Sequence, residues 1–356
     1  MKHIIITSLD MYLMGGVERT NASLAKLFLE KGHKVTLISL FRNSEKPFFD
    51  FGECEIIYMN KSPHGLVHNL LIKIKTIIGF FKMINYLKSI DDDYIIISSY
   101  LRTSILFGLF FFNRSKVIAH EHSSFSAHGW FISRVRLFAY KFLKCVICLT
   151  DFDKEIFKKN NIKSFKIPNF SKYRKNPVLL NGYDNDLQCL SAGRLHPHKG
   201  FDRLLLIANK LRSENIIFNI IGSGSEEEKL KDLINKYNLN SIVNLMPASS
   251  KLEKHIDNCD LYLMTSRTEA APLVLLEALA YSKPIVAYDC PIGVKEIVSD
   301  GENGFLVEDG DIDEYVKKVK EILHSNERYN QLSLGASVYA QKHSPDSNYI
   351  LWSEHI

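Results

Sequence analysis

The chain has 356 residues, and at about 100–200 residues per domain this length predicts two domains. The composition, 46% hydrophobic and 24% charged, is typical of a globular protein whose core needs neither disulfides nor a structural metal. The net charge of +5 is unevenly divided: residues 1–180 hold 27 Lys and Arg against 14 Asp and Glu (+13), and residues 181–356 hold 18 against 26 (−8). This asymmetry excludes a uniformly basic nucleic-acid-binding protein and predicts different partners for the two halves.

The sequence predicts a cytoplasmic protein with reduced cysteines. The first residues, MKHIIITSLD, enter a strand pattern directly, without the long apolar segment or cleavage site of a targeting signal. The charge-free apolar stretch Thr103–Asn113 has 11 residues, and a membrane span needs about 20. Cys145 and Cys148 lie in a predicted buried strand, where an offset of three places their sulfurs on opposite faces, and a second ligand pair is missing. We therefore predict no metal or disulfide at this pair.

Short β-rich segments alternate with helical segments along the whole chain. In the first half, strand patterns lie at residues 3–9, 34–40, 54–59, 94–100, 116–122 and 145–150. In the second half, they lie at residues 188–193, 215–222, 241–247, 261–266, 284–289 and 304–309. Continuous apolar strands separated by helices are typical of parallel sheets that are covered on both faces. The sequence therefore predicts an α/β fold with two doubly wound domains, divided within the Pro-, Asn- and Gly-rich stretch 167–186.

Two segments in the first half follow strands and are candidates for ligand binding, because ligands of open parallel sheets bind at the carboxyl ends of the strands. Gly15 and Gly16 precede a helix whose N-terminus favours anions, although an ordinary tight turn explains this pair equally well. His120 and His122 point to one face if the fifth strand extends that far. Each is either a donor to a substrate hydroxyl or a buried, hydrogen-bonded histidine, and the sequence leaves both interpretations open.

The acidic run Asp91–Asp93 resembles the metal-binding D-x-D motif of some nucleotide-sugar enzymes. It stands at the amino end of its strand, however, which is the wrong edge for a ligand. We interpret it as a solvated turn and predict no metal there.

The second half carries a denser set of candidate residues. Arg194 and Lys199 follow one strand, and as a planar fork and a mobile point charge they suit two phosphates. Gly222 opens a glycine-bearing loop before the next helix. Glu269 and Glu277 flank the start of another helix, with Pro272 predicted in its first turn and the exposed amides of residues 271–274 suited to a diphosphate. Two cations, a helix N-terminus and two separated carboxylates together predict a site for a nucleoside diphosphate-sugar.

Residues 260–311, together with the AGRLHPHKG segment at residues 192–200, resemble glycosyltransferase family 4, a large family of retaining glycosyltransferases. The resemblance covers nearly the whole chain, strongly over residues 188–311 and weakly over the first half. It implies the GT-B fold, in which two Rossmann-like domains face each other across a cleft. The implied domains are an acceptor-binding domain at residues 1–170 and a donor-binding domain at residues 171–345, and a C-terminal segment at 346–356 returns toward the first.

The resemblance also implies roles for the donor residues. Arg194 and Lys199 would bind the donor diphosphate and stabilise the departing nucleotide, and Gly222 would lie at the donor site. Glu269 would contact hydroxyls of the transferred sugar, and Glu277 would hold the ribose hydroxyls. The backbone that faces the phosphates would be that of Ala271, Pro272, Leu273 and Val274.

For the first domain, the resemblance implies that Gly16, beside Gly15, lies near both the donor phosphate and the acceptor. His122 resembles the active-site histidine of the family, with His120 as the alternative, and Pro168–Asn169 resembles its interdomain element. The chain departs from the family pattern at Ala270, where glycine is usual, at Ala271, where a larger residue is common, and at Phe170. A methyl group at position 270 would crowd the donor, which leaves the identity of the sugar open.

The resulting hypothesis is a retaining hexosyltransferase that moves a sugar from a UDP-hexose or UDP-N-acetylhexosamine to a lipid-linked or polysaccharide acceptor. The setting would be the biosynthesis of a capsule, lipopolysaccharide or exopolysaccharide, with no cofactor, no metal and no nucleic-acid partner. The alternatives are a non-catalytic nucleotide-sugar-binding protein and a sugar-nucleotide epimerase or phosphorylase of the same fold. A dehydrogenase is disfavoured because the G-x-G-x-x-G fingerprint is missing.

The excess positive charge of the first half lies beside apolar helices. Residues 68–88 and 129–144 mix Lys and Arg with Phe, Trp, Tyr and Ile. Each segment is either a helix with one buried face and lysines on the other, or a surface that contacts anionic lipid. The net charge of the whole half favours peripheral contact with an anionic membrane.

Overall fold

In a computed structural model of the chain, which describes residues 1–61, 69–171 and 186–356, the polypeptide divides into two units. Unit 1 comprises Met1–Pro168 together with Asn348–Ile356, and unit 2 comprises Asn169–Ser347. The predicted divisions were after residues 170 and 345, and the observed ones follow Pro168 and Ser347. The predicted interdomain element, Pro168–Asn169, therefore stands at the first division.

Unit 1 contains a seven-stranded parallel sheet in the order β3-β2-β1-β4-β5-β6-β7. Its strands are β1 His3–Ser8, β2 Lys34–Ser39, β3 Glu55–Tyr58, β4 Tyr94–Ser98, β5 Val117–His120, β6 Cys145–Cys148 and β7 Ser164–Lys166. Its helices are α1 Gly16–Glu30, α2 Asn69–Lys88, α3 Leu101–Phe110, α4 Trp130–Tyr140 and α5 Asp151–Lys159. The six strands predicted for this half are confirmed. The short edge strand β7 was not predicted.

Unit 2 contains a six-stranded parallel sheet in the order β10-β9-β8-β11-β12-β13. Its strands are β8 Leu187–Ala192, β9 Ile216–Ile221, β10 Val243–Met246, β11 Leu261–Met264, β12 Ile285–Tyr288 and β13 Gly304–Val307. Its helices are α6 Phe201–Lys210, α7 Glu227–Lys236, α8 Leu252–Asn258, α9 Leu273–Ala280, α10 Ile312–Leu323 and α11 Asn326–Lys342. All six strands predicted for this half are confirmed, and with both sheets parallel the α/β class is confirmed as well.

The strands form as predicted because both faces of each sheet are covered. Along β1, Ile4, Ile5 and Ile6 are fully buried although successive side chains point to opposite faces. The order of the strands reverses between β1 and β4 in unit 1 and between β8 and β11 in unit 2. Such reversals leave a crevice at the carboxyl ends of the two strands, where open α/β sheets bind ligands.

The C-terminal segment packs on unit 1. Helix α12, Pro345–Ser353, carries Trp352, which is only 1% exposed and meets the rings of Phe28 and His120 edge-on. The Asn348 side-chain amide donates a hydrogen bond to the Pro168 carbonyl at 2.6 Å. The sheet of unit 1 is thus covered in part by residues that follow unit 2 in the chain.

Candidate functional site

The loop after β8 reaches the end of β11 by close backbone packing. Lys199 ends a short 3-10 turn, Pro197–Lys199, and the next residue is Gly200, with a φ of 66°. A Cβ at position 200 would lie 2.0 Å from the Thr265 carbonyl oxygen, so only glycine fits there. This contact brings the loop with the predicted phosphate-binding cations against the loop with the predicted sugar-binding glutamate.

Lys199 and Glu269 form an ion pair. The Lys199 Nζ lies 2.6 Å from Glu269 Oε1, and the Ser266 hydroxyl donates to the same oxygen at 2.7 Å. The Glu269 side chain is 9% exposed and that of Lys199 is 21% exposed, so water screens the pair only in part. An anion that bound Lys199 would compete with Glu269 for the ammonium group and would leave the carboxylate available for hydroxyl donors.

Arg194 is exposed and makes no ion pair within the part of the chain that the structure describes. It directly follows Gly193 at the carboxyl end of β8. The donors of its guanidinium are therefore available to solvent or to an anionic ligand, whereas Lys199 could bind an anion only by leaving Glu269.

Helix α9 starts close to Glu269. It begins at Leu273, and Pro272 is its N-cap residue, one position outside the predicted first turn. The first amides of this eight-residue helix, from Leu273 and Val274, lie at its positive end. Glu277 is half-buried one turn further on, and Ala271 is half-buried in the loop.

The loop before α9 is fixed by its neighbours. The Gly293 amide donates to the Glu269 carbonyl at 3.0 Å, and Glu269 and Ile292 form a parallel bridge. A Cβ on Gly293 would lie 1.8 Å from the Ala270 carbonyl oxygen. Close contacts of Gly200 with Thr265 and of Gly293 with Ala270 therefore hold the backbone before and after Glu269, and neither contact leaves room for a side chain.

Gly222 packs against the loop that follows β8. A Cβ at this position would lie 2.0 Å from the Gly193 carbonyl oxygen, and the Leu195 amide donates to the Ser223 carbonyl at 3.1 Å. The loops after β8 and β9 are thus joined. This packing explains the glycine without a ligand, and a role of Gly222 in donor binding stays a prediction.

Arg267, which was not predicted as a site residue, ties the two charged loops together. Its guanidinium donates to both Asp202 oxygens, at 2.9 and 2.7 Å, and to the Pro197 carbonyl at 2.7 Å. The Arg267 side chain holds the pKa of the Asp202 carboxyl below its usual value. The available signal was an arginine directly after a buried strand, at the edge where ligands bind.

In unit 1, the predicted glycine pair begins α1. Gly15 is the N-cap residue in an extended conformation, and Gly16 is the first helical residue. A Cβ on Gly15 would lie 2.2 Å from an oxygen of Glu18, a buried carboxylate in the first turn. The positive end of α1 therefore already faces a carboxylate of its own chain, which competes with any anionic ligand there.

His120 and His122 lie together as predicted from their alternation, although β5 ends at His120. Their ring centroids are 4.1 Å apart, and the Trp352 ring lies edge-on to His120 at 5.2 Å. Burial lowers the pKa of His122 to about 4 and holds that of His120 well below its ordinary value. Both imidazoles are thus neutral at pH 7 and suited to hydrogen bonding rather than to carrying charge. One strand, β4, lies between β5 and β1, the strand that the glycine pair follows.

The residue between these histidines belongs to a buried ion pair. Glu121 lies 2.6 Å from the Arg136 guanidinium and accepts a hydrogen bond from the Tyr140 hydroxyl. Arg136 is fully buried, and its guanidinium lies 5.0 Å from the ring centroids of Phe125 and Phe157. Burial raises the pKa of Glu121, and the positive charge of Arg136 opposes this. This pair fixes the turn after β5 on α4.

Asp10 is a second residue at a ligand-binding edge that was not predicted. It follows β1 at the reversal point of unit 1, is 1% exposed, and accepts a hydrogen bond from the Tyr12 amide at 2.9 Å. Burial raises the pKa of its carboxyl. An acidic residue directly after a buried strand was the available signal.

The acidic run Asp91–Asp93 and the cysteine pair, where no metal is predicted, make ordinary structural contacts. Asp92 and Asp93 pair with Lys34 and Lys116, each at 2.6 Å. Cys145 and Cys148 are buried free thiols. Among the described residues, no group of three His, Cys, Asp or Glu side chains could hold a metal ion, and none of the helices is both long and apolar enough to span a bilayer.

Comparison with known families gives two matches that together cover most of the chain. The family described as Glycosyltransferase Family 4 matches residues 14–170, and the one described as Glycosyl transferases group 1 matches residues 174–337. A Haemophilus influenzae protein described as an uncharacterized glycosyltransferase is 32% identical over 342 residues, or 94% of each chain. The amylovoran biosynthesis glycosyltransferase AmsD of Erwinia amylovora is 26% identical and covers 96% of this chain and 95% of its own.

Solved structures show the same fold at low identity. Anabaena Alr3699/HepE, crystallised with UDP and glucose, superimposes with a TM-score of 0.79 at 18% identity and covers 99% of both chains. Staphylococcus aureus TarM, in a complex that includes UDP, gives a TM-score of 0.78 at 15% identity, again over 99% of both chains. These neighbours are GT-B proteins, so the predicted GT-B class is confirmed.

Proposed function

This chain belongs to the group 1 glycosyltransferases of family 4, and on that premise we propose that it moves a hexose or N-acetylhexosamine from a UDP-sugar, with retention of configuration, to a lipid-linked or polysaccharide acceptor. It is an enzyme, and it acts as a glycosyltransferase. The name of its relative AmsD, an amylovoran biosynthesis glycosyltransferase, supports assembly of a cell-surface polysaccharide. The solved neighbours with bound UDP support a UDP-sugar donor.

The single observation that carries this proposal is the ion pair between Lys199 and Glu269 at the reversal point of the unit 2 sheet. It holds a cation for the diphosphate 2.6 Å from a carboxylate for the sugar hydroxyls. Binding of the diphosphate to Lys199 would release Glu269 for those hydroxyls. Arg194 adds an available guanidinium, and the first amides of α9 add the positive end of a helix. Glu277, one turn further on, takes the ribose hydroxyls. These groups need no resident metal to neutralise the diphosphate.

In the proposed reaction, the bond between the anomeric carbon and the diphosphate oxygen breaks, and the acceptor hydroxyl attacks from the same face. The proton of that hydroxyl passes to the departing phosphate oxygen. The negative charge that develops on the diphosphate is stabilised by Lys199, Arg194 and the amides of α9. The neutral imidazole of His122 donates a hydrogen bond to a hydroxyl of the sugar or the acceptor.

The test is incubation of the whole chain with a panel of nucleotide sugars and extracted lipid-linked glycans. We expect nucleoside diphosphate to be released from a UDP-sugar and from no GDP-sugar. The anomeric proton of the product, measured by NMR, should keep the coupling of the donor. An inverted product would contradict the retaining mechanism, and release from GDP-sugars alone would contradict the choice of donor.

A further inference from the structure

Helix α2 of unit 1 is apolar on two opposite faces. The face toward the sheet contributes Phe80, Met83 and Leu87 to the core. The opposite face carries apolar side chains every three to four residues, each 46–49% exposed, namely Leu71, Ile74, Ile77, Ile78 and Phe81. A helix that only covers a sheet has a polar outer face. The outer face of α2 therefore requires another explanation.

This exposed stripe continues onto neighbouring elements through aromatic contacts. The Phe81 ring lies 6.4 Å from Phe110 at the end of α3. Phe112, 64% exposed, lies under the Lys88 ammonium at 6.0 Å. The Arg114 guanidinium lies 5.2 Å from Phe142.

The contacts extend along α4. Phe142 packs 5.3 Å from Phe138, and the Arg134 guanidinium lies 5.6 Å from the ring of Trp130. Trp130 and Phe131 are 72% and 70% exposed. We call the surface formed by the outer stripe of α2 and these aromatic and basic residues of α2–α4 the aromatic–basic face.

The net charge of this region is positive. Residues 69–150 contain eleven Lys and Arg and four acidic residues. Of these four, Glu121 is buried against Arg136, and Asp92 and Asp93 are paired with Lys34 and Lys116 at the amino ends of the strands. Cations that alternate with exposed aromatic rings fit a partner that is anionic at its surface and apolar beneath it.

We infer that the aromatic–basic face binds an anionic phospholipid bilayer, with its aromatic side chains at the level of the headgroups and its cations on the phosphates. This inference rests on the proposed function, because it places the acceptor domain at the surface that would carry a lipid-linked acceptor. A soluble anionic polysaccharide satisfies the cations and can stack on the aromatic rings, but it leaves the aliphatic side chains of α2 in water. A second copy of the chain would oppose two surfaces of equal charge.

The two tryptophans provide a direct measurement on the unaltered chain. Trp130 lies in the aromatic–basic face, and Trp352 is 1% exposed. Vesicles of phosphatidylcholine with about 30% phosphatidylglycerol should shift the emission to the blue, and vesicles of phosphatidylcholine alone should bind at least about tenfold more weakly. Trp130→Phe should keep sedimentation with the vesicles and lose the shift. An equal shift with both vesicle types, or none with either, would overturn the inference.

Substitutions separate the two components of the face. Lys88→Gln, Arg134→Gln and Lys141→Gln, the last at an exposed lysine directly after α4, should together weaken vesicle binding by roughly 100-fold, at about fivefold per cation. Phe112→Ser and Phe131→Ser should each cost about tenfold. The matched controls in unit 2 are the exposed lysines Lys229, Lys231 and Lys317, changed to Gln, and the exposed apolar pair Leu334 and Val338, changed to Ser. Equal losses in test and control sets would overturn the inference.

Two further readouts exclude the other occupants and keep this inference separate from the proposed function. The chain could prove to be a dimer in solution that becomes a monomer in Phe112→Ser and binds no vesicles. In that case the face would bind a second copy of the chain, and the inference would be overturned. Binding to a soluble anionic polysaccharide but to no vesicle would likewise overturn the inference. Release of UDP from the soluble donor should be unchanged in all face variants. If no nucleotide sugar is turned over while anionic vesicles still bind, the proposed function fails and the membrane surface stands.

Discussion

Both units have a parallel sheet, but the residues at the ligand-binding edges of the two sheets differ in chemical type. In unit 2, the edge at β8 and β11 holds charged side chains in exchangeable pairs, Lys199 with Glu269 and Arg267 with Asp202. In unit 1, the corresponding edge carries a glycine turn and the neutral imidazoles His120 and His122. The charge of unit 1 lies instead on its outer helices.

This contrast shows that the net charge of a unit and the charge at its ligand-binding edge are separate properties. The half with a net charge of −8 presents cations at the edge proposed to bind a diphosphate, and the half with +13 presents two neutral imidazoles and the carboxylates of Asp10 and Glu18 at its strand ends. A parallel sheet fixes where a ligand binds, whereas the loops determine which chemistry is offered there. The contrast can be tested by stability, activity and pH.

The largest expected effect concerns the two arginine–carboxylate pairs. Arg136→Met should lower the free energy of unfolding by about 3–5 kcal/mol, because it leaves Glu121 buried without its counter-charge. Arg267→Met should cost about 0–1 kcal/mol, since both side chains of its pair are about one-third exposed. Denaturant unfolding followed by circular dichroism measures both. Equal costs would show that the two pairs do not differ in the way their burial implies.

The next effect is on catalysis. Lys199→Ala should reduce donor turnover by 10²–10³-fold, about 2.7–4 kcal/mol of transition-state stabilisation, because in the proposed reaction it removes one cation that stabilises the departing diphosphate. Lys210→Ala, which removes a surface lysine paired with Asp313, should leave turnover unchanged. Steady-state release of nucleoside diphosphate gives both rates. Near-normal turnover by Lys199→Ala would refute its proposed role.

A smaller effect distinguishes two glycines in the left-handed region. Gly200→Ala should destabilise the chain by about 2–3 kcal/mol, because its Cβ meets the Thr265 carbonyl oxygen in addition to the unfavourable φ. Gly32→Ala in unit 1 has the same sign of φ but no atom within 4 Å, so it should cost about 1 kcal/mol. Thermal unfolding of the two variants measures the difference. The steric argument is wrong if the two glycines prove equally sensitive.

The smallest effect is a pH dependence of unit 1. The folded pKa of His122 is lowered from 6.5 to about 4, so the unfolded chain binds more protons between these values. Its contribution to stability is complete above pH 6.5 and is lost as the pH falls toward 4, by about 1–2 kcal/mol at pH 5. His122→Gln should flatten this part of the stability profile, whereas His196→Gln, at an exposed position in unit 2, should not. Unfolding curves at pH 5 and 7 test this, and an unchanged slope in His122→Gln would contradict it.

The strands and the edge of the candidate site were predictable from the sequence for one physical reason. Strands buried on both faces are continuous apolar runs, and the residues that follow them must lie at one edge, so Lys199 and Glu269 could be placed together. Strand β7 could not be recognised, because a half-buried edge strand of three residues has little apolar signal. The partners of Arg267 and Glu121 depend on packing between distant segments, which no local pattern encodes. The apolar residues on the outer face of α2 could be read from the sequence, but the sequence could not show that these side chains are exposed.

The return of the C-terminal segment to unit 1 sets an order of events during translation. Trp352 completes the surroundings of Phe28 and His120, yet the ribosome must first add the 179 residues of Asn169–Ser347. At the usual 5–20 residues per second this delay is roughly 10–40 s. Throughout it, unit 1 lacks the packing of Trp352 on Phe28 and His120 while unit 2 is synthesised. The domain that starts first is therefore finished last, and it is the part of the nascent chain on which chaperones have the longest time to act.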